Sequence, residues 1–151
     1  MCDSSNMTST QKAYLAGFLD GDGSIYVRLK PNPTYRFGYQ VSPYIVLFQS
    51  SRDREKFSLI CEMVKSFGHL RERNDGICEF VINKKDAIRE FLAFVKPYIL
   101  LKAKQAELIL EILDAKEKVE NKKDFELLAK LVDRFRELNY SKKRKYVTLT
   151  P

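Results

Sequence analysis

The segment that decides the fold is Leu15-Ala16-Gly17-Phe18-Leu19-Asp20-Gly21-Asp22-Gly23, an apolar helix that ends in two carboxylates among glycines. The C-terminus of a helix carries partial negative charge and exposes carbonyl oxygens without partners in the helix, so acidic side chains are disfavoured there. Lys, Arg or a glycine alone is the more usual ending. Because Mg²⁺ and Ca²⁺ prefer oxygen ligands, carboxylates beside these carbonyls indicate a divalent-cation site.

Small residues recur every four positions along the same segment, at Ala13, Gly17 and Gly21. This spacing places them on one helix face, where their size allows a second backbone to approach closely. The segment therefore predicts a helix-pairing face with a metal site at its end. A buried helix closed by an Asp-Gly turn is the alternative that the segment alone leaves open. An EF-hand is excluded, because Ile25 and Pro31 stand where that loop needs glycine and glutamate.

Length and composition favour one domain over residues 1–151, with residues 1–7 as a flexible N-terminus and residues 141–151 as a basic tail. We expect no membrane span, because no run of about 18 apolar residues is present. The N-terminus lacks the features of a secretory signal and of an Arg-rich transit peptide, so we expect the protein to work in the compartment where it is translated. Three cysteines and one histidine lack metal-ligand spacing, which disfavours zinc sites. The net charge of +7 favours a polyanionic partner.

Hydrophobic periodicity predicts an α+β fold in the order αββαββα, followed by C-terminal helices. We expect the four strands to form an antiparallel sheet, with one face covered by helices and the other in water. Asn74-Asp75-Gly76 gives a strong hairpin signal between the third and fourth strands. The expected strands cover residues 24–30, 39–49, 69–73 and 77–82, and the later helices cover 52–67, 85–95, 102–118 and 125–138.

The wet face of this sheet carries side chains suited to reading base edges. Arg and Lys can recognise guanine, Gln can recognise adenine and Glu can recognise cytosine. An ordinary solvated surface is the alternative for any one of them. The set consists of Tyr26, Arg28, Lys30, Gln40, Ser42, Tyr44, Arg71, Arg73 and Glu79.

Residues 15–23 and the element order resemble the LAGLIDADG homing endonuclease family, in particular its small single-motif members encoded in group I introns. The resemblance extends through Ser24-Ile25, Lys30-Pro31-Asn32, Gln49, residues 102–105 and residues 141–145. It therefore covers nearly the whole chain. It implies the homing-endonuclease fold, with the sheet as the DNA-binding surface.

The resemblance also implies roles for individual residues. Two copies would pair through Ala13, Gly17 and Gly21 into a homodimer. Asp22 and the carbonyl of Gly21 would bind Mg²⁺, with Mn²⁺ as a substitute and Ca²⁺ supporting binding. Asp20 would have a structural duty. The catalytic set is expected to be Asp22, Gln49, Lys102 and Arg54, with Gln105 as a weaker candidate.

Further DNA contacts complete the expected interface. The loop after the first strand would contribute several of them, two valines would meet thymine methyl groups, and the tail would hold phosphates. These residues are Asn32, Thr34, Tyr35, Arg36, Val46, Val81, Ser141, Lys142 and Lys145.

The function predicted is site-specific cleavage of both strands of a long pseudo-palindromic DNA target, which promotes intron mobility. Three alternatives remain open: a non-cleaving DNA binder, an RNA maturase on the same fold, and an interaction module in which Asp20 to Gly23 is merely a turn. RNA is expected as a partner only under the maturase alternative.

Overall fold

The computed structural model describes residues 6–139 and confirms the αββαββα order. Ser141, Lys142 and Lys145 therefore lie outside the described residues. The elements are α1 (Ser9–Asp22), β1 (Gly23–Pro31), β2 (Tyr39–Ser50), α2 (Arg54–Met63), β3 (His69–Glu72), β4 (Ile77–Ile82), α3 (Lys85–Val95), α4 (Ala103–Glu117) and α5 (Lys122–Leu138). Short 3-10 helices cover Ser51–Asp53 and Lys96–Tyr98. Among the described residues, no helix combines the length and apolar character needed to cross a membrane.

The four strands form one antiparallel sheet in the order β1-β2-β4-β3, as predicted. In the register between β2 and β4, Ile45 lies opposite Ile82 and Leu47 opposite Phe80. These apolar pairs are buried and form the covered face of the sheet. The predicted hairpin joins β3 to β4, and Gly76 has a positive φ of 82° that favours glycine over other residues.

Local signals in the sequence define both ends of α1. The Thr8 hydroxyl accepts from the Gln11 backbone N–H at 3.1 Å, and the Gln11 side chain accepts from the Thr8 N–H at 2.9 Å, which makes a capping box. At the other end, a Cβ added at Gly23 would lie 2.8 Å from the Leu19 carbonyl oxygen. Only glycine therefore allows the chain to pass directly from α1 into β1.

The described residues fall into two compact units, and the prediction of a single domain stays a prediction. Among the described residues, the first unit comprises residues 6–24 and 44–103 and holds α1, α2, β3, β4 and α3. Within it, α1 packs against α3 and the Lys96–Tyr98 turn, and its face of Leu15, Ala16 and Leu19 is buried. Gly68 lies so close to β4 that an added Cβ would overlap the Val81 carbonyl, which explains a glycine before β3.

The second unit comprises the described residues 25–43 and 104–139 and holds most of β1, the β1–β2 loop, α4 and α5. Ile25, Val27 and Leu29 are buried, as the alternation of β1 predicts. The Phe125 ring stacks against those of Phe37 and Tyr39, with centroids 5.2 and 6.4 Å apart. These aromatic contacts connect the start of α5 to the region where β2 begins.

Candidate active site and nucleic-acid interface

The C-terminal turn of α1 is held by Asp20. Its carboxylate accepts from the backbone N–H groups of Leu100 at 2.8 Å, Leu101 at 3.2 Å and Lys102 at 3.1 Å. These amides immediately precede α4, where backbone N–H groups have no partner within the helix. Asp20 therefore fixes the segment before α4 against the end of α1.

The Lys102 side chain forms a further hydrogen bond between the same two segments, this time to the backbone of Asp20. Its Nζ donates to the Asp20 carbonyl oxygen at 2.8 Å, one of the carbonyls that the end of a helix leaves without a helical partner. The half-buried lysine is thereby held at Asp20, which lies two residues before Asp22 in the sequence. A predicted catalytic lysine and a predicted metal ligand thus lie at the same end of one helix.

Asp22 and Gly21 are both exposed at this end of α1. Carboxylate and carbonyl oxygens are the ligand types that Mg²⁺ and Ca²⁺ prefer, so these residues fit the expected ion. Within residues 6–139, no cluster of three or more His, Cys, Asp or Glu side chains is placed to hold a metal. Among the described residues, the expected ligands of the ion are therefore Asp22 and the Gly21 carbonyl.

The two cysteines within residues 6–139 are buried, which does not suit them to bind this ion. Cys61 and Cys78 are buried free thiols. Burial, with Cys78 nearby, raises the pKa of Cys61 to about 11. Its thiol consequently stays protonated at neutral pH, whereas a thiolate is the form that binds metals.

Gln49 and Arg54 are the remaining predicted catalytic residues. Gln49 lies half-buried near the end of β2, and its Oε1 accepts from the Ser50 backbone N–H at 2.9 Å. Arg54 begins α2 and forms an ion pair with Glu72 of β3. Their catalytic roles stay predictions. Gln105, the weaker candidate, donates to the Leu138 carbonyl at 3.3 Å within the second unit.

The predicted pairing face of α1 lies on the surface of the chain. Ala13, Gly17 and Gly21 are exposed, and a Cβ added at either glycine would meet no atom within 4 Å. Sequence reasoning missed Leu100 and Leu101, whose backbone N–H groups donate to Asp20. These two leucines are 84% and 76% exposed. An adjacent pair of leucines directly before a predicted catalytic lysine was the available signal.

The predicted base-reading residues of β1 and its loop belong to the second unit. Arg28 and Lys30 are exposed, Tyr26 is half-buried, and the Arg28 guanidinium lies 5.5 Å from the Tyr26 ring centroid. In the loop, the Asn32 side chain accepts from the Thr34 N–H at 3.1 Å and from its hydroxyl at 2.7 Å. This Asx turn uses the Asn32 oxygen within the loop itself.

Other members of this set are surface residues of the same unit. Tyr35 and Arg36 are exposed, and the Arg36 guanidinium lies 5.1 Å from the Phe37 ring centroid. Gln40 and Ser42 are half-buried on β2. Their roles in DNA binding stay predictions.

In the first unit, Arg71 and Arg73 are exposed, as expected for the wet face. Val46, Glu79 and Val81 are buried, which contradicts the exposure expected for Glu79 and leaves little of either valine for the expected thymine contacts. Tyr44 is half-buried, but those three are 1%, 6% and 6% exposed. Val46 lies directly opposite Val81 in the register of the two central strands, where neighbouring side chains cover both. Glu79 is covered because it is paired with both arginines, through Arg71 Nη2 at 2.8 Å and Arg73 Nη1 at 3.2 Å.

A family model described as LAGLIDADG endonuclease matches residues 15–113, which is more than half of the chain. The chain belongs to the LAGLIDADG endonuclease family. The match begins at Leu15, the first residue of the motif at residues 15–23, and includes Asp20, Asp22 and Lys102. The resemblance inferred from residues 15–23 is therefore confirmed.

Two curated relatives of this LAGLIDADG protein are similar over most of its length. DNA endonuclease I-CreI of Chlamydomonas reinhardtii is 33% identical over 140 residues, which cover 91% of this chain and 83% of the relative. DNA endonuclease I-CvuI of Chlorella vulgaris is 36% identical over 135 residues, which cover 87% and 81%.

Solved structures of the family share the fold. The crystal structure of I-CvuI in complex with its target in the presence of calcium has a TM-score of 0.85 at 30% identity and covers 92% of this chain and 88% of that one. An archaeal intron-encoded endonuclease, I-Vdi141I, complexed with DNA, has a TM-score of 0.80 at 21% identity. At that lower identity the likeness concerns the fold alone.

Proposed function

We propose that this LAGLIDADG protein is a site-specific DNA endonuclease that binds a long pseudo-palindromic target as a homodimer and hydrolyses both strands with Mg²⁺. The observation that carries this proposal is the end of α1, where Gly21 and Asp22 are exposed residues and Lys102 donates to the Asp20 carbonyl at 2.8 Å. A phosphodiester is anionic and resists attack by water. Oxygen ligands for a metal ion, together with the positively charged Lys102 side chain, are suited to catalysing its hydrolysis.

The exposed glycines of α1 support a homodimer. Glycine inside a helix costs about 1 kcal/mol relative to alanine, yet neither Gly17 nor Gly21 is required by a positive φ or by crowding within the chain. Close approach of a second backbone supplies a reason for glycine at both positions. Leu100 and Leu101 would extend this contact, because exposed apolar side chains next to such a face gain from burial. A twofold axis through the contact would bring two Asp22 side chains together.

The residues of each active site have distinct tasks in this mechanism. Asp22 and the Gly21 carbonyl would hold Mg²⁺. When bound, the ion supplies charge neutralisation at the phosphate and makes water more acidic. Lys102 places a positive charge near the scissile phosphate, and its bond to the Asp20 carbonyl keeps that charge in position. Gln49 would orient the attacking water through its side-chain amide.

The metal preference follows from the same donors. Oxygen ligands admit Mg²⁺, Mn²⁺ and Ca²⁺, and we propose that Mg²⁺ and Mn²⁺ support cleavage while Ca²⁺ supports binding. The relative I-CvuI has been crystallised with its target in the presence of calcium. Intron mobility, and activity in a chloroplast, a mitochondrion or the prokaryotic cytoplasm, are part of the same proposal.

The dimer geometry sets the size of the target. Two sheets placed symmetrically in successive major grooves would span roughly 20 base pairs. A dimer carries twice the charge of +7 that one chain has. Affinity should therefore fall steeply as the salt concentration rises.

The test is Mg²⁺-dependent cleavage of a randomised duplex library. Wild type should recover one long near-palindromic site, Asp22→Ala should bind that site without cutting it, and Asp53→Ala should cut it normally. Asp53 is an exposed carboxylate outside the proposed site and serves as the matched control. Binding without cutting by wild type would overturn the proposed endonuclease activity. Retention of duplex DNA would then favour a repressor, and retention of intron RNA would favour a maturase.

A further inference from the structure

Glu79 joins two arginines on the sheet. Its Oε2 accepts from Arg71 Nη2 at 2.8 Å, and its Oε1 accepts from Arg73 Nη1 at 3.2 Å. Arg71 lies directly opposite Glu79 in the register between β3 and β4. The Glu79 side chain is only 8% exposed, whereas those of Arg71 and Arg73 are 60% and 39% exposed. A covered carboxylate thus holds two guanidinium groups that face solvent.

This arrangement does not suit Glu79 for the cytosine contact that its residue type predicts. Each carboxylate oxygen already accepts from a guanidinium, and little of the side chain is accessible to a base edge. A buried carboxylate is also costly without its partners, so the two ion pairs are hard to exchange for one contact to a neutral base. The role of Glu79 is therefore to hold the side chains of Arg71 and Arg73 in place.

The two arginines are not equivalent. Arg73 Nη2 also donates to Asp75 Oδ2 at 2.5 Å, so two carboxylates share the charge of Arg73. Within the described part of the chain, Arg71 has one ion pair, and its side chain is 60% exposed against 39% for Arg73. A guanidinium has five N–H donors in a planar fork, and two of them match the O6 and N7 acceptors of guanine. Arg71 can keep its bond to Glu79 and still present such a pair.

We propose that Glu79 is a positioning residue that reads no base and directs Arg71 at a guanine in each half-site. Arg73, which is shared with Asp75, balances the buried charge of Glu79. This inference rests on the proposed DNA-binding function. It assigns one base position of the target to Arg71 and none to Glu79.

The experiment compares binding preferences rather than cleavage. Wild type, Arg71→Lys, Glu79→Gln and Asp75→Asn are each used to select duplexes from the randomised library in Ca²⁺. Arg71→Lys keeps the charge and loses the planar fork. Asp75→Asn is the matched control, because it removes a carboxylate next to Arg73 without touching Arg71. Thermal unfolding of each variant establishes that it is folded at the temperature of selection.

Arg71→Lys and Glu79→Gln should lose guanine preference at the same position of each half-site, by about tenfold, whereas Asp75→Asn should retain it. Without the carboxylate, the arginines should also bind phosphates more freely, so Glu79→Gln should bind random duplexes more tightly at low salt. Loss of a cytosine preference at a separate position in Glu79→Gln would overturn the inference and leave the proposed function intact. Selection of no sequence by wild type would overturn both.

Discussion

Alanine at Gly17 should have opposite effects on the folding of one chain and on the pairing of two. Among residues 6–139, no atom outside the surrounding backbone of α1 lies within 4 Å of the added Cβ, and the Gly17 backbone does not have a positive φ. Folding of α1 should therefore gain about 0.8–1.0 kcal/mol from helix propensity alone. At a close contact between backbones the same methyl group is present twice, and overpacking of this kind costs about 1–3 kcal/mol. The dimer should consequently dissociate about fivefold or more readily.

Sedimentation equilibrium measures the dissociation constant, and thermal unfolding over a wide range of protein concentrations measures stability. Since dimerisation stabilises the folded state by mass action, the variant should melt above wild type when dilute and below it when concentrated. Ser58→Ala is the matched control, because Ser58 is exposed on α2 rather than on the pairing face of α1 and should leave the dissociation constant unchanged. Its gain in helix propensity is offset by loss of the hydrogen bond from the Ser58 hydroxyl to the Glu55 carbonyl. An unchanged dissociation constant in Gly17→Ala would refute the assignment of this face to the dimer.

Three further perturbations test other parts of the site and the fold. Asp22→Asn should lower the rate of target cleavage in Mg²⁺ by about 100-fold or more while a gel shift in Ca²⁺ still detects binding. Asp20→Ala leaves three backbone N–H groups without their acceptor and should cost about 2–3 kcal/mol in urea unfolding, whereas Asp20→Asn retains an acceptor and should cost less; equal losses would contradict this role. The raised pKa of Cys61, about 11 against an ordinary value of 9.0, predicts stability that is fully present below pH 9 and is lost as the pH rises toward 11. Cys61→Ala should reduce that loss, as measured by urea unfolding at several pH values.

The sequence predicted most elements because their signals are local. Ile25, Val27 and Leu29 alternate with polar residues, and the structure buries all three. Asn74-Asp75-Gly76 contains the glycine that the hairpin needs at positive φ. The boundary of α2 was less well predicted, because a 3-10 turn precedes it and the helix ends at Met63 before Gly68.

Long-range contacts account for what the sequence could not show. Alternation places Glu79 on the correct face of β4 but gives no measure of how far neighbouring side chains cover it. The pairing of Arg54 with Glu72 depends on how α2 lies against β3, which no local pattern specifies. The hydrogen bonds from residues 100–102 to Asp20 could not be predicted from a local sequence pattern either. The structural role of Asp20 was therefore predicted from the family resemblance alone.

The Asp20 contacts also constrain when the proposed site can form during synthesis. Asp20 meets its partners across 80 to 82 residues of chain. A ribosome that adds about 5–20 residues per second needs about 4–16 s to make the intervening segment. During that interval the end of α1 has neither the amides that fix it nor the Lys102 ammonium group. A nascent chain therefore cannot assemble the proposed cleavage centre until translation has passed Lys102.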